Sequence, residues 1–402
     1  MWTNLAKHLF RPVRAQGGSE RPLPRPAAAA PRSLRPIPLA GPLVLLAAFL
    51  GGCSTVGYYA QSVHGELQIL DASRPIPQVI KDPHCNPALA HKLADVLEIR
   101  AYASQELGLP DNACYRNYAN LGRPYVTWNV FATPKLSLSP KTWCFPIAGC
   151  VAYRGYFSEP EARAEAARLR RKGYDVYVGG IPAYSTLGYF NDPVLNTFIG
   201  YPDWAVAELI FHELGHQVAY VPGETVFNES MANTIEREGM NRWLAADGTA
   251  AERREYEVAR QRRRDFDDLV FKYQKKLAAL YASPLSAEQK LADKKALFQR
   301  LLAAYQTLKA SKWHGYSGYD PWFLDDLNNA KIASIALYTQ LVPEFRELLA
   351  QQHGNLPAFY RRIRVIAKMS PKARAAVMAS LAKAGKQPKA AGVALAASRH
   401  GG

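Results

Sequence analysis

The chain shows no internal repeat, no nucleic-acid-binding motif and no apolar run long enough to span a bilayer. These absences exclude a solenoid, a nucleic-acid role read from motifs, and an ordinary transmembrane helix. Acids are scarce: 34 Asp and Glu stand against 50 Lys and Arg, a net charge of +16. That excess is uneven. Residues before Cys53 carry seven Lys or Arg and one acid, Glu20, so the remainder holds only about +10 of the charge. The segment Leu381–Gly402 adds Lys383, Lys386, Lys389 and Arg399 with no acid. The body between is mildly basic, which suits contact with anionic lipid or glycan better than with nucleic acid. Cysteine is scarce too, at five residues.

The first stretch, Met1–Pro38, is rich in Arg, Pro and Ala. A short apolar run, Leu39–Leu50, follows, and then Gly51-Gly52-Cys53. A basic region, an apolar region and small residues make an export leader. Leu50-Gly51-Gly52-Cys53 also resembles the lipobox of bacterial lipoproteins. That resemblance implies an acylated Cys53, a membrane anchor at that residue and a cell-envelope location facing the periplasm. Ser54 after the cysteine resembles lipoproteins of the outer membrane. Setting Cys53 aside leaves Cys85, Cys114, Cys144 and Cys150, an even number that an oxidising compartment can pair. The expected bonds are Cys144–Cys150, closing a short loop, and Cys85–Cys114, clamping a helical pair. The spacings do not match a Cys-based metal site.

The chemistry concentrates in Phe211-His212-Glu213-Leu214-Gly215-His216-Gln217. Upstream, Trp204–Phe211 holds no Pro or Gly, so a helix runs through the motif. Residues four apart share a helix face, so His212 and His216 offer two imidazoles to one metal ion. Glu213, on the adjoining face, is the candidate catalytic base for a water activated by that metal. The turn signal Val221-Pro222-Gly223-Glu224 precedes a second helix carrying Glu229 and Glu236. Either could complete the site. Asn228-Glu229 with Ala232 resembles the zinc-binding Asn-Glu-Gly-Phe-Ala stretch of aminopeptidase N-like enzymes and favours Glu229, although its spacing from His216 is shorter than in that family. Glu236 better matches the thermolysin spacing. One Zn2+ is the expected cofactor.

Composition and pattern predict an α+β chain, predominantly helical. A small mixed sheet and two metal-binding helices would form a zincin-like core, with an extended helical hairpin beside it. The expected organisation is a leader over 1–52 and a single peptidase domain over 53–380. Within that domain, helices occupy 58–120, the sheet and metal site 121–245, the hairpin 249–311 and further helices 312–380. A disordered tail covers 381–402. Tyr58–Arg74 and Lys81–Leu107 read as paired helices; Tyr125–Ala132, Val151–Phe157 and Asp175–Gly180 read as strands; Glu159–Lys172 reads as an amphipathic helix. Ile181–Phe190 is positioned either as an edge strand that receives a peptide substrate or as an inert loop. His314, Tyr316, Tyr319 and Tyr338 are candidate donors to an oxyanion. The hairpin charges read as a solvated surface.

Together, Leu50–Cys53, Tyr58–Ser62, Tyr184–Gly188, Phe211–Gln217, Phe227–Ser230, Asn328–Ala330 and Val342–Phe345 resemble the bacterial family of predicted zinc aminopeptidases of the cell envelope. The resemblance implies a zinc-dependent aminopeptidase acting on peptides. A zinc endopeptidase, or an envelope lipoprotein that binds a partner through its hairpin, is the alternative.

Overall fold

The computed structural model describes residues 57–145, 149–183, 185–335 and 340–385. The leader, Cys53, Tyr184, Tyr338 and Lys386–Gly402 lie outside the described residues. The chain is α+β and predominantly helical, with small sheets. Among the described residues no helix is long and apolar enough to cross a membrane.

The chain opens with α1 (residues 57–72). The expected helix over Lys81–Leu107 forms over a shorter range, Pro87–Gln105. A short α2 (Ile76–Ile80) precedes α3 (Pro87–Gln105), which starts where Asn86 accepts the Ala88 N–H and Pro87 occupies the first turn. Two short sheets follow from chain reversals. Ser73–Pro75 (β1) pairs antiparallel with Asn117–Ala119 (β2), and β2 pairs parallel with Val194–Leu195 (β8). In the second sheet, Thr127–Pro134 (β3) lies between Arg154–Tyr156 (β6) and Tyr174–Ile181 (β7). Helix α4 (Glu159–Arg171) covers it, burying Ala162, Ala166 and Leu169 against Trp128, Val130 and Val176. Trp143–Phe145 (β4) and Gly149–Val151 (β5) form a ribbon in which the directly opposed Cys144 and Cys150 are disulfide-bonded.

The other expected disulfide does not form: Cys85 and Cys114 are free thiols. Each sulfur has its own surroundings. The Cys85 thiol turns to the Asn86 carbonyl at the start of α3, and the buried Cys114 thiol sits against Phe190 O and the Gln217 amide.

The main core is helical. Helices α5 (Asp203–His216) and α6 (Thr225–Ala246) bury long apolar stripes in it, together with α11 (Val342–Gln351), α12 (Leu356–Ala367) and α13 (Pro371–Ala384). Helix α13 continues to Ala384, past the expected start of the tail. The hairpin is α7 (Ala250–Ala282) and α8 (Ala287–Ser311), each begun by a capping box, at Thr249 and Ser286. Its inner face closes a separate aromatic core with Trp313 and Phe323, the latter on α9 (Asp320–Leu324). Asn329, at the start of α10 (Asn329–Ile335), explains the Asn328-Asn329 pair. Its amide nitrogen donates to the Lys135 and Ser137 carbonyls, and its amide oxygen accepts the Tyr281 hydroxyl. The hairpin, β7 and the loop after β3 are thereby held together, with the buried Lys294–Asp175 ion pair alongside.

Candidate metal centre

Helices α5 and α6 run antiparallel. Moving along α5 from Glu208 to His216, the partners on α6 fall from Glu236 to Glu229. Glycines make the approach close. Gly215 lies against Ala232 and Ile235, and Gly239 against Phe211 and Leu107; a Cβ at Gly239 would meet Leu107 at 2.9 Å. The connector between the helices is short and is locked by Asn228. Its side chain accepts the Val221 N–H at 2.9 Å and donates to the Val221 carbonyl at 2.8 Å. Asn228 thus fixes the turn that lets its neighbour Glu229 reach back to the histidines.

Three ligand atoms converge. His212 Nε2 and His216 Nε2 are 3.1 Å apart, and Glu229 Oε2 lies 3.5 Å and 3.6 Å from them. For bonds of about 2.0–2.1 Å in a tetrahedral arrangement, ligand atoms sit about 3.3 Å apart, so the donor set fits a zinc-sized ion. Among the described residues this is the group of three His, Cys, Asp or Glu side chains close enough to hold one. Without a cation, the electrostatics are those of an ion pair. Burial works against a charged His212, but hydrogen bonds to Glu229 and Glu236 and the charges of Glu236 and Glu213 outweigh it and raise its pKa well above the ordinary value. Burial likewise opposes the Glu229 carboxylate, and the His216 charge with hydrogen bonds from both rings overrides it, holding the carboxyl far below its usual range.

Glu236 does not join the triangle. Its Oε2 meets His212 Nδ1 at 2.9 Å, on the far side of the ring from the ligand atom. An acceptor there keeps the proton on Nδ1 and leaves Nε2 free for a metal. Behind it stands Glu208, one turn before His212. Burial, and then the charge of Glu236 to which it is hydrogen-bonded, push the Glu208 carboxyl up. The positive charge of Arg263, on α7, lowers the Glu208 carboxyl in opposition to that burial. The remaining carboxylates near the motif are engaged elsewhere: Asp203 pairs with Lys92 and Glu224 with Arg374.

Glu213 is half-buried beside the triangle. Gln217, four residues on and on the same helix face, shows what that face looks at. Its Oε1 accepts from Asn112 at 2.7 Å, its Nε2 lies 3.5 Å from the Cys114 sulfur, and it packs against Gly188. Of the described residues of Ile181–Phe190, only Ile181, the end of β7, is strand, and Ser185–Leu187 folds around Asp192. Thr186 Oγ1 donates to Asp192 Oδ1 at 2.6 Å, and the Thr186 N–H donates to Oδ2 at 3.0 Å. Three of the aromatic oxyanion candidates belong elsewhere: Tyr316 is exposed under Arg262, His314 is an exposed turn residue, and Tyr319 stacks on Phe266. Among the described residues, Tyr220, four residues past His216, is a tyrosine within reach of the Glu229 charge; its hydroxyl is pushed up to about 12 by burial and by that charge. Its position four residues after the second histidine was the available signal.

A family model described as "Putative aminopeptidase" matches residues 57–378. No curated protein and no solved structure matches the chain.

Replacing Glu236 with Leu removes the acceptor at His212 Nδ1. Zinc affinity of the chain should fall by about 10–100-fold, read by competition with a chromophoric chelator; unchanged affinity would take Glu236 out of the site. A second expectation concerns pH. Burial raises Asp192 to about 7, against its Thr186 hydrogen bonds, from an ordinary 3.8. A group raised in the fold contributes stability that is complete below its unfolded value and lost as pH rises through the folded one. Denaturant midpoints should therefore decline between about pH 4 and pH 7, and Asp192→Asn should flatten that decline.

Proposed function

This chain belongs to the putative aminopeptidase family, and on that premise we propose that it is a zinc-dependent aminopeptidase with a zincin-like catalytic core. The observation that carries the reading is the convergence of His212, His216 and Glu229 at ligand spacing, with Glu213 next to them and not among them. A structural zinc is normally closed by a fourth protein ligand. Here the fourth near carboxylate, Glu213, is left for chemistry.

When bound, zinc supplies a water nucleophile at neutral pH and polarises the scissile carbonyl. His212 and His216 would hold the ion through Nε2, and Glu229 would supply the third ligand and a charge that favours the cation. Glu236 orients His212. Glu213 takes a proton from the attacking water and returns it to the leaving amine. Tyr220 stays protonated at working pH and is the side chain suited to donate to a developing oxyanion. We include in this reading a lipoprotein of the bacterial envelope, acylated at Cys53; the Cys144–Cys150 disulfide supports an oxidising compartment.

Glu213→Gln should retain one zinc per chain and lose at least about 100-fold in turnover of aminoacyl-amides; a fully active variant would sink the assignment. Cleavage of a free peptide but not its N-acetylated form identifies an aminopeptidase, while cleavage of the acetylated form alone makes the chain an endopeptidase. For the anchor, intact-mass measurement of the membrane-extracted protein should find a lipid-modified chain starting at Cys53, and an unmodified N-terminus there would exclude it.

A further inference from the structure

Charge is unevenly mixed along the chain. The last acid is Glu347; ten Lys and Arg follow it and no Asp or Glu. Around the hairpin, cations sit beside acids: Arg260 pairs with Glu257 and Lys312 with Asp265. Helices α12 and α13 contain no acid of their own. Two of their cations turn inward. Arg364 Nε donates to the Val218 carbonyl at 3.2 Å, and Arg374 pairs with Glu224 at 2.9 Å, so both helices are fastened to the connector that follows His216. Arg361, Arg362, Lys368 and Lys372 are exposed and meet no carboxylate among the described residues.

Helix periodicity gathers these cations. On α12, Leu356, Phe359, Tyr360, Ile363 and Ile366 are buried in the main core, and the Tyr360 hydroxyl donates to the Leu107 carbonyl at 3.0 Å. The apolar face of α12 is therefore already occupied. Arg361, Val365 and Lys368, the last at the helix cap, recur at i, i+4 and i+7 on the opposite face. Val365 is 49% exposed in the middle of this cationic stripe. The outer face has no exposed aromatic ring on which a nucleic-acid base would stack. A layer of anionic lipid headgroups asks for what is present: cations for its phosphates and a small apolar side chain that enters it.

We propose that the outer face of α12, with Lys372 at the start of α13, is a docking surface for a membrane bearing anionic lipid headgroups. The cations meet lipid phosphates and Val365 enters the headgroup layer. Lys383, Lys386, Lys389 and Arg399 extend the same charge along the chain. The proposal needs neither the metal nor an acyl chain, so it stands or falls apart from the peptidase reading.

The test is co-sedimentation with vesicles, using Ser54–Gly402, which contains every described residue and all three hydrophobic cores and carries no acyl anchor. It should bind vesicles of phosphatidylglycerol with phosphatidylcholine, not phosphatidylcholine alone, and should release at high salt. Each cation near an anionic surface is worth about fivefold in affinity. Arg361→Gln, Arg362→Gln and Lys368→Gln together should lower it about 100-fold, with the thermal midpoint unchanged because all three are exposed. Replacing Arg254, Lys272 and Lys275 of the hairpin with Gln removes the same charge and should leave binding within about fivefold of the parent. Equal loss in the two triple variants would make net charge the cause and overturn the proposal, as would undiminished binding by the first variant or equal binding to both kinds of vesicle. Tighter binding to a DNA duplex than to the anionic vesicles at the same salt would also overturn it, assigning the face to a polyanion in solution.

Discussion

The structure depends on the close antiparallel contact of α5 and α6. A glutamate side chain is short, and it can reach two imidazoles across a helix pair only if the backbones come near. Gly215 and Gly239 permit that nearness, and Phe211, Ile235 and Leu107 pack in the space their missing side chains leave. The register of the contact then assigns roles. Glu229 meets both histidines at Nε2, while Glu236, two turns along the same helix, meets only the back of His212. Had the helices slid by two turns, Glu236 would have stood where Glu229 stands.

Around that pair the fold relies on buried polar side chains that satisfy loop backbone groups. Arg100 holds the loop before Tyr115, Asn228 closes the connector between the site helices, and Asn329 joins the hairpin to the sheet. Each replaces a missing strand or helix ladder, since a buried carbonyl or N–H without a partner is costly. These clamps make the loops over the Glu213 face firm without secondary structure. They also account for sequence motifs that no chemistry uses: Asn228 beside a metal ligand and the Asn328-Asn329 pair have backbone partners, not substrate.

Much of the site was legible because its signal is local. His212, Glu213 and His216 are placed by helix geometry alone, and the turn at Pro222-Gly223 announces the second helix. The elements fared similarly where the pattern was strong, as in α4, β7 and the hairpin. The misreadings share a cause. Cys85 and Cys114 were paired by parity, but parity carries no information on where each sulfur points. Ile181–Phe190 was open between strand and loop by residue type, and over its described residues the loop forms, because the buried Asp192 gathers the Ser185 and Thr186 hydroxyls. Tyr319 is a possible donor by residue type, whereas packing places it with the aromatic core under the hairpin, and Tyr316 stays exposed under Arg262.

The sequence by itself determined the helical character, the two-histidine motif and the short list of carboxylates that could serve it. Those follow from spacing and composition, which are properties of neighbouring residues. Only the tertiary structure gave Glu229 and Glu236 their separate places at the two histidines and set Glu208 against Glu236. Each of these pairs residues far apart in the chain, and their distances are fixed by how helices, clamped loops and glycine contacts pack together, which no local pattern encodes.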